Sequence, residues 1–466
     1  MSKFKFTHRK NSGGKPVFAG AQGCVFLPSL KCKHRKRNIN DGNVSKLGFK
    51  KSSEFEMREY EKIAPFIKKI KNYEKYFGIR ATSCEPDALS PGDLIGFDEV
   101  CINFKEEGIT ESNVNKNLYK LRSINMPNLG NDLKVWMDNT PIDASRIRQL
   151  NDHISELLVH AIVPMNKQGI MHNDLKSENI MMDKNETNVR IIDWGLAGIT
   201  TPHQIIPDRY FLSNPVTFNR PFSTMAVSKD VDELYHKYIS QSQSQSSPLP
   251  EKITPEHLKP FVSELYKEYR KQDSTSHEYI AYIFEKIFNL NTETANLLLN
   301  SVVEKYNAEV LHHFTDKARR KFMLDEYFDK VYRYNTDVWG TMSVYYSMFM
   351  LPREHFIMPD SVYYDMLQRY RNIFGTIIFV NGHKRMNVQN IVKELQKITN
   401  AVSNNIPNKF KKYNKLNKSY KLNKFNRKLN KSVKKMVRFN IDTDNDVVDS
   451  YNEYRVPTPY PLKLDK

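Results

Sequence analysis

The sequence predicts an α+β fold in two lobes, a small β-rich lobe with one helix followed by a larger, mainly helical lobe. Three observations carry that expectation. The chain has 466 residues, more than one average domain. From Pro16 to about Met126, short apolar runs alternate with turn residues, the pattern of half-buried strands. From Leu133 onward the periodicity lengthens to that of amphipathic helices.

Within the first lobe one helical pattern stands out at Glu54–Lys71, where Phe55, Tyr60, Ile63, Phe66, Ile67 and Ile70 mark one face. In the second lobe, Ile147–Gln168 places Ile147, Leu150, Ile154, Leu157, Leu158 and Ile162 on one helical face. A pair of short strands is expected around Ile180–Met182 and Val189–Ile192. Residues 224–333 read as a long, polar, helical insertion whose Ser/Gln run at Ser240–Ser247 is a linker pattern. Helices are further expected at Tyr279–Phe288, Thr292–Tyr306, Thr336–Phe349, Ser361–Phe374 and Val388–Asn400. The resulting division is a flexible N-terminus at 1–15, a first lobe at 16–126, and a second lobe at 127–223 and 334–400. The 224–333 insertion interrupts that second lobe, and a basic low-complexity tail follows at 401–466.

Composition excludes several classes. Hydrophobic residues make up 39% of the chain and aromatics 12%, which fits a folded globular protein rather than a disordered one. Cys24, Cys32, Cys84 and Cys101 are too few for a disulfide framework and lead to the expectation of a reducing compartment. With no apolar leader and no apolar run long enough to cross a bilayer, a soluble, intracellular monomer is expected. The net charge of +18 is unevenly spread: Lys409–Arg438 holds thirteen Lys/Arg and no acid, which leaves +5 elsewhere. From Lys409 to Arg427 a basic residue recurs every third place, often beside Phe, Tyr or Leu. Such a run is suited to weak binding of nucleic acid or an acidic surface. A three-residue period does not keep one face of a 3.6-residue helix, so a recognition helix is not expected there.

The densest chemistry lies in Met171-His-Asn-Asp-Leu-Lys-Ser-Glu-Asn179, followed fourteen residues on by Asp193-Trp-Gly195. Phosphoryl transfer needs a carboxylate to orient a hydroxyl, oxygen ligands for a metal, and a cation near the moving charge. Asp174, Asn179, Asp193 and Lys176 offer those groups within twenty residues.

This string resembles the catalytic loop and the metal-binding DFG element of eukaryotic-type serine/threonine protein kinases. The resemblance implies a bilobal protein-kinase-like fold that uses ATP and Mg2+, with Mn2+ the alternative metal. It makes Asp174 the catalytic base, Lys176 a phosphate contact, and Asn179 and Asp193 the metal ligands. Upstream, Ala19-Gly20-Ala-Gln-Gly23-Cys-Val25-Phe26 resembles the Gly-rich loop, with Phe18 in place of the first glycine. Val44-Ser-Lys46 resembles the strand lysine that grips the α- and β-phosphates. Among Glu54, Glu56, Glu59 and Glu61, Glu59 is preferred as its partner because Ile63 supplies an apolar anchor one turn on. Ile124–Leu133 resembles the adenine hinge, with Met126 at the base and Asp132 near the ribose. Asp337-Val-Trp339-Gly340 resembles the start of the helix that braces the catalytic loop. The run Gly23–Cys32 with Val44-Ser-Lys46, and the Asn214-Pro and Asn219-Arg-Pro elements, resemble kinases of large DNA viruses, which would place the protein in host cytoplasm or virion.

Two departures matter. Asn173 stands where regulated kinases of the family carry an arginine that receives an activation-loop phosphate. Activity without that phosphorylation is therefore expected. Trp194 replaces phenylalanine beside the metal aspartate. The same two residues are compatible with a small-molecule phosphotransferase of the choline or aminoglycoside kinase type. A kinase-fold scaffold that binds nucleic acid is the remaining alternative.

Overall fold

The computed structural model describes residues 14–20, 23–34, 42–207, 217–227, 229–241, 253–316, 318 and 320–404. The basic run at 409–438, residues 242–247 of the Ser/Gln run, Ala21, Gln22 and Asn214 lie outside them. Two compact units divide the chain. Among the described residues, one holds those up to Met57 together with Arg80–Asn128; the other holds Arg58–Ile79 and those from Leu129 to Asn404. No helix among the described residues is long and apolar enough to cross a membrane.

The first unit is built on a five-stranded antiparallel sheet. Strands β1 (Lys15–Gly20), β2 (Gly23–Leu27) and β3 (Asn43–Phe49) form a meander, and helix α1 (Lys50–Ile67) starts directly where β3 ends. Strands β4 (Thr82–Cys84) and β5 (Leu121–Pro127) complete the order β1-β2-β3-β5-β4. The two-residue period of the strands separates two faces. Cys24, Phe26, Leu47 and Leu121 point to one face and are buried against Leu89, Phe97, Cys101, Phe104, Ile109 and Val114, from the segment between β4 and β5. Helix α1 starts four residues earlier than the apolar pattern suggested and ends at Ile67, because its start is set by the end of β3.

All four cysteines are paired, which corrects the expectation drawn from their number. Cys24 bonds Cys101 and Cys32 bonds Cys84, with Cα–Cα separations of 5.4 and 5.8 Å. Counting cysteines measures density along the chain, whereas pairing depends on the spacing of backbones in the fold. The sheet brings together partners 77 and 52 residues apart. Cys24 alternates into the buried face of β2, and Cys101 sits between the two short helices packed there. The inference of a reducing compartment therefore loses its premise.

The second unit opens with β6 (Asn131–Asp132) and the short helix α2 (Leu133–Asp138). Next comes α3 (Ala144–Leu157), which continues through a π-helical turn at Leu158–Ile162 into Val163–Lys167. Asp143 caps α3 by accepting from Arg146 N at 3.0 Å, and the six predicted apolar positions are all buried. Strands β7 (Ile170–Met171), β8 (Ile180–Met182), β9 (Val189–Ile191) and β10 (Gly198–Ile199) form two small sheets, β6-β8-β9 and β10-β7.

The insertion is helical, in α4 (Lys229–Gln241), α5 (Pro255–Gln272), α6 (Ser274–Phe288) and α7 (Thr292–His313). Asp273 and Asn291 cap α6 and α7, which explains the abrupt starts of those helices. Helix α8 (Arg333–Ser343) is entered through Leu324–Tyr327 and a second π-helical turn at Phe328–Tyr332. All residues from Asn335 to Ser343 are buried. Helices α9 (Asp360–Ile373) and α10 (Val388–Asn404) close the unit. The insertion is anchored in this core rather than laid on its surface. Tyr306 of α7 and Trp339 of α8 both meet Phe222 edge-on, with centroids at 5.8 and 4.9 Å.

Each disulfide closes a loop long enough to remove about 4 kcal/mol of chain entropy from the unfolded state in the simplest model. The unreduced protein should melt several degrees above the protein treated with dithiothreitol, and Cys24→Ser with Cys101→Ser should remove part of that difference. Four titratable thiols in denatured, unreduced protein would contradict the pairing.

Candidate active site

In the first unit, strand register gathers the predicted nucleotide contacts on one face. Val25 pairs with Lys46, Lys46 with Ile124, and Val44 with Met126. Residues directly opposite share a face, so Val25, Lys46 and Met126 lie together on the side of the sheet away from Cys24 and Leu47. Gly20 ends β1 opposite Gly23, which opens β2. A Cβ at Gly23 would lie 2.2 Å from the carbonyl oxygen of Leu47. The close approach of β3 alone therefore demands glycine at this position.

Lys46 is a partly buried residue of β3, and its Nζ lies 2.8 Å from Glu56 Oε2. That corrects the expectation of Glu59, whose Oε1 takes Lys62 Nζ at 2.7 Å. Residues 56 and 59 are separated by about 4.5 Å of rise and by about one-sixth of a turn. The Ile63 anchor reports which face a glutamate shares and says nothing about its position along the axis. The direct passage from β3 into α1 sets that position, and no residue pattern in the helix encodes it.

The second unit holds the catalytic-loop group. Asp174 is mostly buried, and three side chains reach its carboxylate. Lys176 Nζ lies 3.2 Å from Oδ1 and 3.1 Å from Oδ2. Asn179 Nδ2 donates to Oδ2 at 2.9 Å and to the Asp174 carbonyl at 2.7 Å. Asn219 Nδ2 donates to Oδ1 at 2.9 Å and to the Leu175 carbonyl at 3.2 Å. Sequence reasoning named Asn219 only as part of a resemblance. At 45 residues from Asp174, no spacing rule points to it.

Asn179 and Asp193 are brought to one end of a hairpin. Ile180 of β8 pairs with Ile191 of β9, and the Ile192 N–H donates to the Asn179 carbonyl at 3.0 Å, one residue before Asp193. Asp193 adopts a left-handed backbone, φ 63°, and its Oδ1 accepts from Gly195 N at 3.4 Å. Because the Asn179 amide nitrogen is committed to Asp174, its Oδ1 is the atom that a metal ion could take. An amide oxygen beside a carboxylate is a hard donor set that suits Mg2+ or Mn2+ when phosphate oxygens and water supply the remaining ligands. No group of three or more His, Cys, Asp and Glu side chains is placed to hold a metal among the described residues. One amide and one carboxylate fit a metal ion that is also bound by phosphate oxygens.

Beneath the loop stands the buried carboxylate of Asp337 on α8. It accepts from the backbone N–H groups of His172 and Asn173, at 3.0 and 2.9 Å, and from Asn166 Nδ2 at 2.8 Å. Burial pushes its pKa above the ordinary carboxylate value, against the pull of His172 and these donors. Gly340 lets α8 approach the loop, since a Cβ there would stand 2.6 Å from the Leu175 carbonyl. Trp194 fills an apolar slot between His172 and Phe77, with ring centroids at 4.9 and 5.8 Å. Asp132 caps α2 by accepting from Val135 N at 2.8 Å, and burial raises its pKa. The residue expected near a ribose thus already has a structural partner.

Residues 129–217 match the family model described as protein kinase domain. The chain is 37% identical over 57 residues to casein kinase II subunit alpha' of Saccharomyces cerevisiae, covering 12% of this chain and 16% of that protein. It is 44% identical over 46 residues to the serine/threonine-protein kinase kin-29 of Caenorhabditis elegans, covering 10% of this chain and 6% of that one. The chain therefore spans less than one fifth of the length of these curated relatives. The β-sheet unit, the helix-rich unit and the matched segment together give the α+β protein-kinase fold class expected from sequence.

The Lys46–Glu56 pair can be tested without any turnover. A double-mutant cycle of Lys46→Met with Glu56→Gln should give a coupling of about 1 kcal/mol in urea unfolding. The same cycle with Glu59→Gln should give much less; equal couplings would refute the assignment.

Proposed function

We propose that this chain transfers the γ-phosphoryl group of ATP to serine or threonine hydroxyls of protein substrates. The observation that carries this reading is the held carboxylate of Asp174, with Lys176 across both its oxygens and Asn179 committed to it beside Asp193. The match of residues 129–217 to the protein kinase domain supports a protein substrate over a small molecule.

Chemistry follows from the positions of these groups. Asp174 orients the substrate hydroxyl and accepts its proton as the oxygen bonds to the γ-phosphorus. The bond from that phosphorus to the β–γ bridging oxygen breaks, and ADP leaves with the electron pair. Lys176, already beside Asp174, offsets negative charge on the transferring group. Lys46, oriented by Glu56, holds the α- and β-phosphates from the sheet face it shares with Val25 and Met126. A magnesium or manganese ion at Asn179 and Asp193 supplies neutralisation of the phosphate oxygens when bound.

Serine/threonine preference rests on Lys176, two places after the base, and is in keeping with the named relatives. The finer resemblance to kinases of large DNA viruses rests on the Gly23–Cys32 run; the relatives named above come from a yeast and a nematode.

Independence from activation-loop phosphorylation belongs to the same reading. Asn173 offers no cation for a phosphate. Its Nδ2 donates to the Leu196 carbonyl at 3.1 Å, and its own carbonyl accepts from the buried Arg220 Nε at 2.8 Å. These neutral and charge-assisted bonds hold the loop against its neighbours.

Transfer of labelled phosphate from ATP to protein substrates should be abolished by Asp174→Asn. Transfer to choline or aminoglycosides in place of protein would overturn the substrate assignment. Replacing Thr200, Thr201 and Thr217 together by alanine should change the rate by less than about threefold, and a loss of tenfold or more would sink the claim of phosphate independence.

A further inference from the structure

We propose that Asn219 is a positioning residue for the transfer reaction, its side-chain amide setting the plane of the Asp174 carboxylate. The inference rests on the kinase reading above and extends it to a residue outside the catalytic loop. A carboxylate has two oxygens and rotates freely about its Cβ–Cγ bond unless both are held. Asn179 holds Oδ2 and Asn219 holds Oδ1, each at 2.9 Å, and Lys176 bridges the two. Once Lys176 turns toward a phosphate, the two amides are what still define the carboxylate plane. Each oxygen then keeps lone-pair capacity, so an incoming hydroxyl meets a base whose acceptor direction is already set.

The position of Asn219 is itself over-determined. Its residue is 3% exposed. Phe218, just before it, accepts at its carbonyl from Trp339 Nε1 at 3.0 Å, and Arg220, just after it, donates to the Asn173 carbonyl at 2.8 Å. Gly340 permits the closeness, since a Cβ there would come within 3.1 Å of the Asn219 carbonyl oxygen. Helix α8 thus supports the base twice, through Asp337 from below and through the 218–220 segment from the side. An amide makes this donor uncharged at every working pH, so the donor itself depends on no protonation state and no phosphorylation.

A merely structural Asn219 and a positioning Asn219 make different predictions. Asn219→Asp keeps the size of the side chain and replaces the donor by an acceptor facing the base, whereas Asn219→Thr replaces the amide donor by a hydroxyl donor. Steady-state transfer to a protein or peptide substrate, with melting temperatures measured on the same samples, separates the two. For Asn219→Asp and Asn219→Ala we expect kcat to fall tenfold or more, with KM for ATP within about twofold. Asn219→Thr should recover most of the rate. If Asp174→Asn abolishes transfer while Asn219→Ala and Asn219→Asp keep kcat within twofold, the kinase reading stands and the positioning role falls. Equal losses in all three variants, tracking lower melting temperatures, also overturn it, because the donor would then be irrelevant. A wild-type chain without any transfer to protein hydroxyls removes the underlying reading and this inference together.

Discussion

The site depends on one buried carboxylate. Asp337 sits in the buried stretch Asn335–Ser343 of α8 and accepts hydrogen bonds from the consecutive backbone N–H groups of His172 and Asn173 and from Asn166. A buried charge of this kind is costly unless its donors are in place, and each loop N–H left unmatched would cost about 1–3 kcal/mol. Helix and loop are therefore stable only together. The left-handed backbone of Asn173, φ 65°, is the local strain this arrangement sustains.

From that anchor the rest of the candidate site follows by short steps. The loop is held under His172, whose ring carries Trp194, and Trp194 sits one residue after Asp193. The β8–β9 hairpin returns Asp193 to the end where Asn179 stands. The same helix reaches sideways through Trp339 and Gly340 to fix Phe218 and Asn219. The aromatic contacts of Phe222, Tyr306 and Trp339 tie the helical insertion into the same core. Packing of this kind ties the stability of α7 to that of α8.

How much was legible in the chain varies with the range of the interaction. The grouping of Asp174, Lys176, Asn179 and Asp193 could be read because they are close along the chain, in a tight loop and a two-strand hairpin, although the support of that loop by Asp337 is long-range. Lys46 was legible through strand alternation, and its shared face with Val25 and Met126 follows from register. Glu56 was one of four glutamates on one helix, and the pattern of apolar residues could not rank them along the axis. The cysteines misled because four in 466 residues look sparse, while two of them lie on paired strands or beside them.

By itself the sequence determined the fold class, the grouping of Lys176 and Asn179 with Asp174, and the place of Lys46 on a strand, since each rests on periodicity or on spacing across a few residues. Only the tertiary structure decided the partner of Lys46, the pairing of the cysteines and the second amide on Asp174. Those depend on backbones that meet after excursions of 10, 52, 77 and 45 residues. Over such distances the chain carries no periodic signal, and packing of strands and helices sets which side chains arrive within 3 Å of one another.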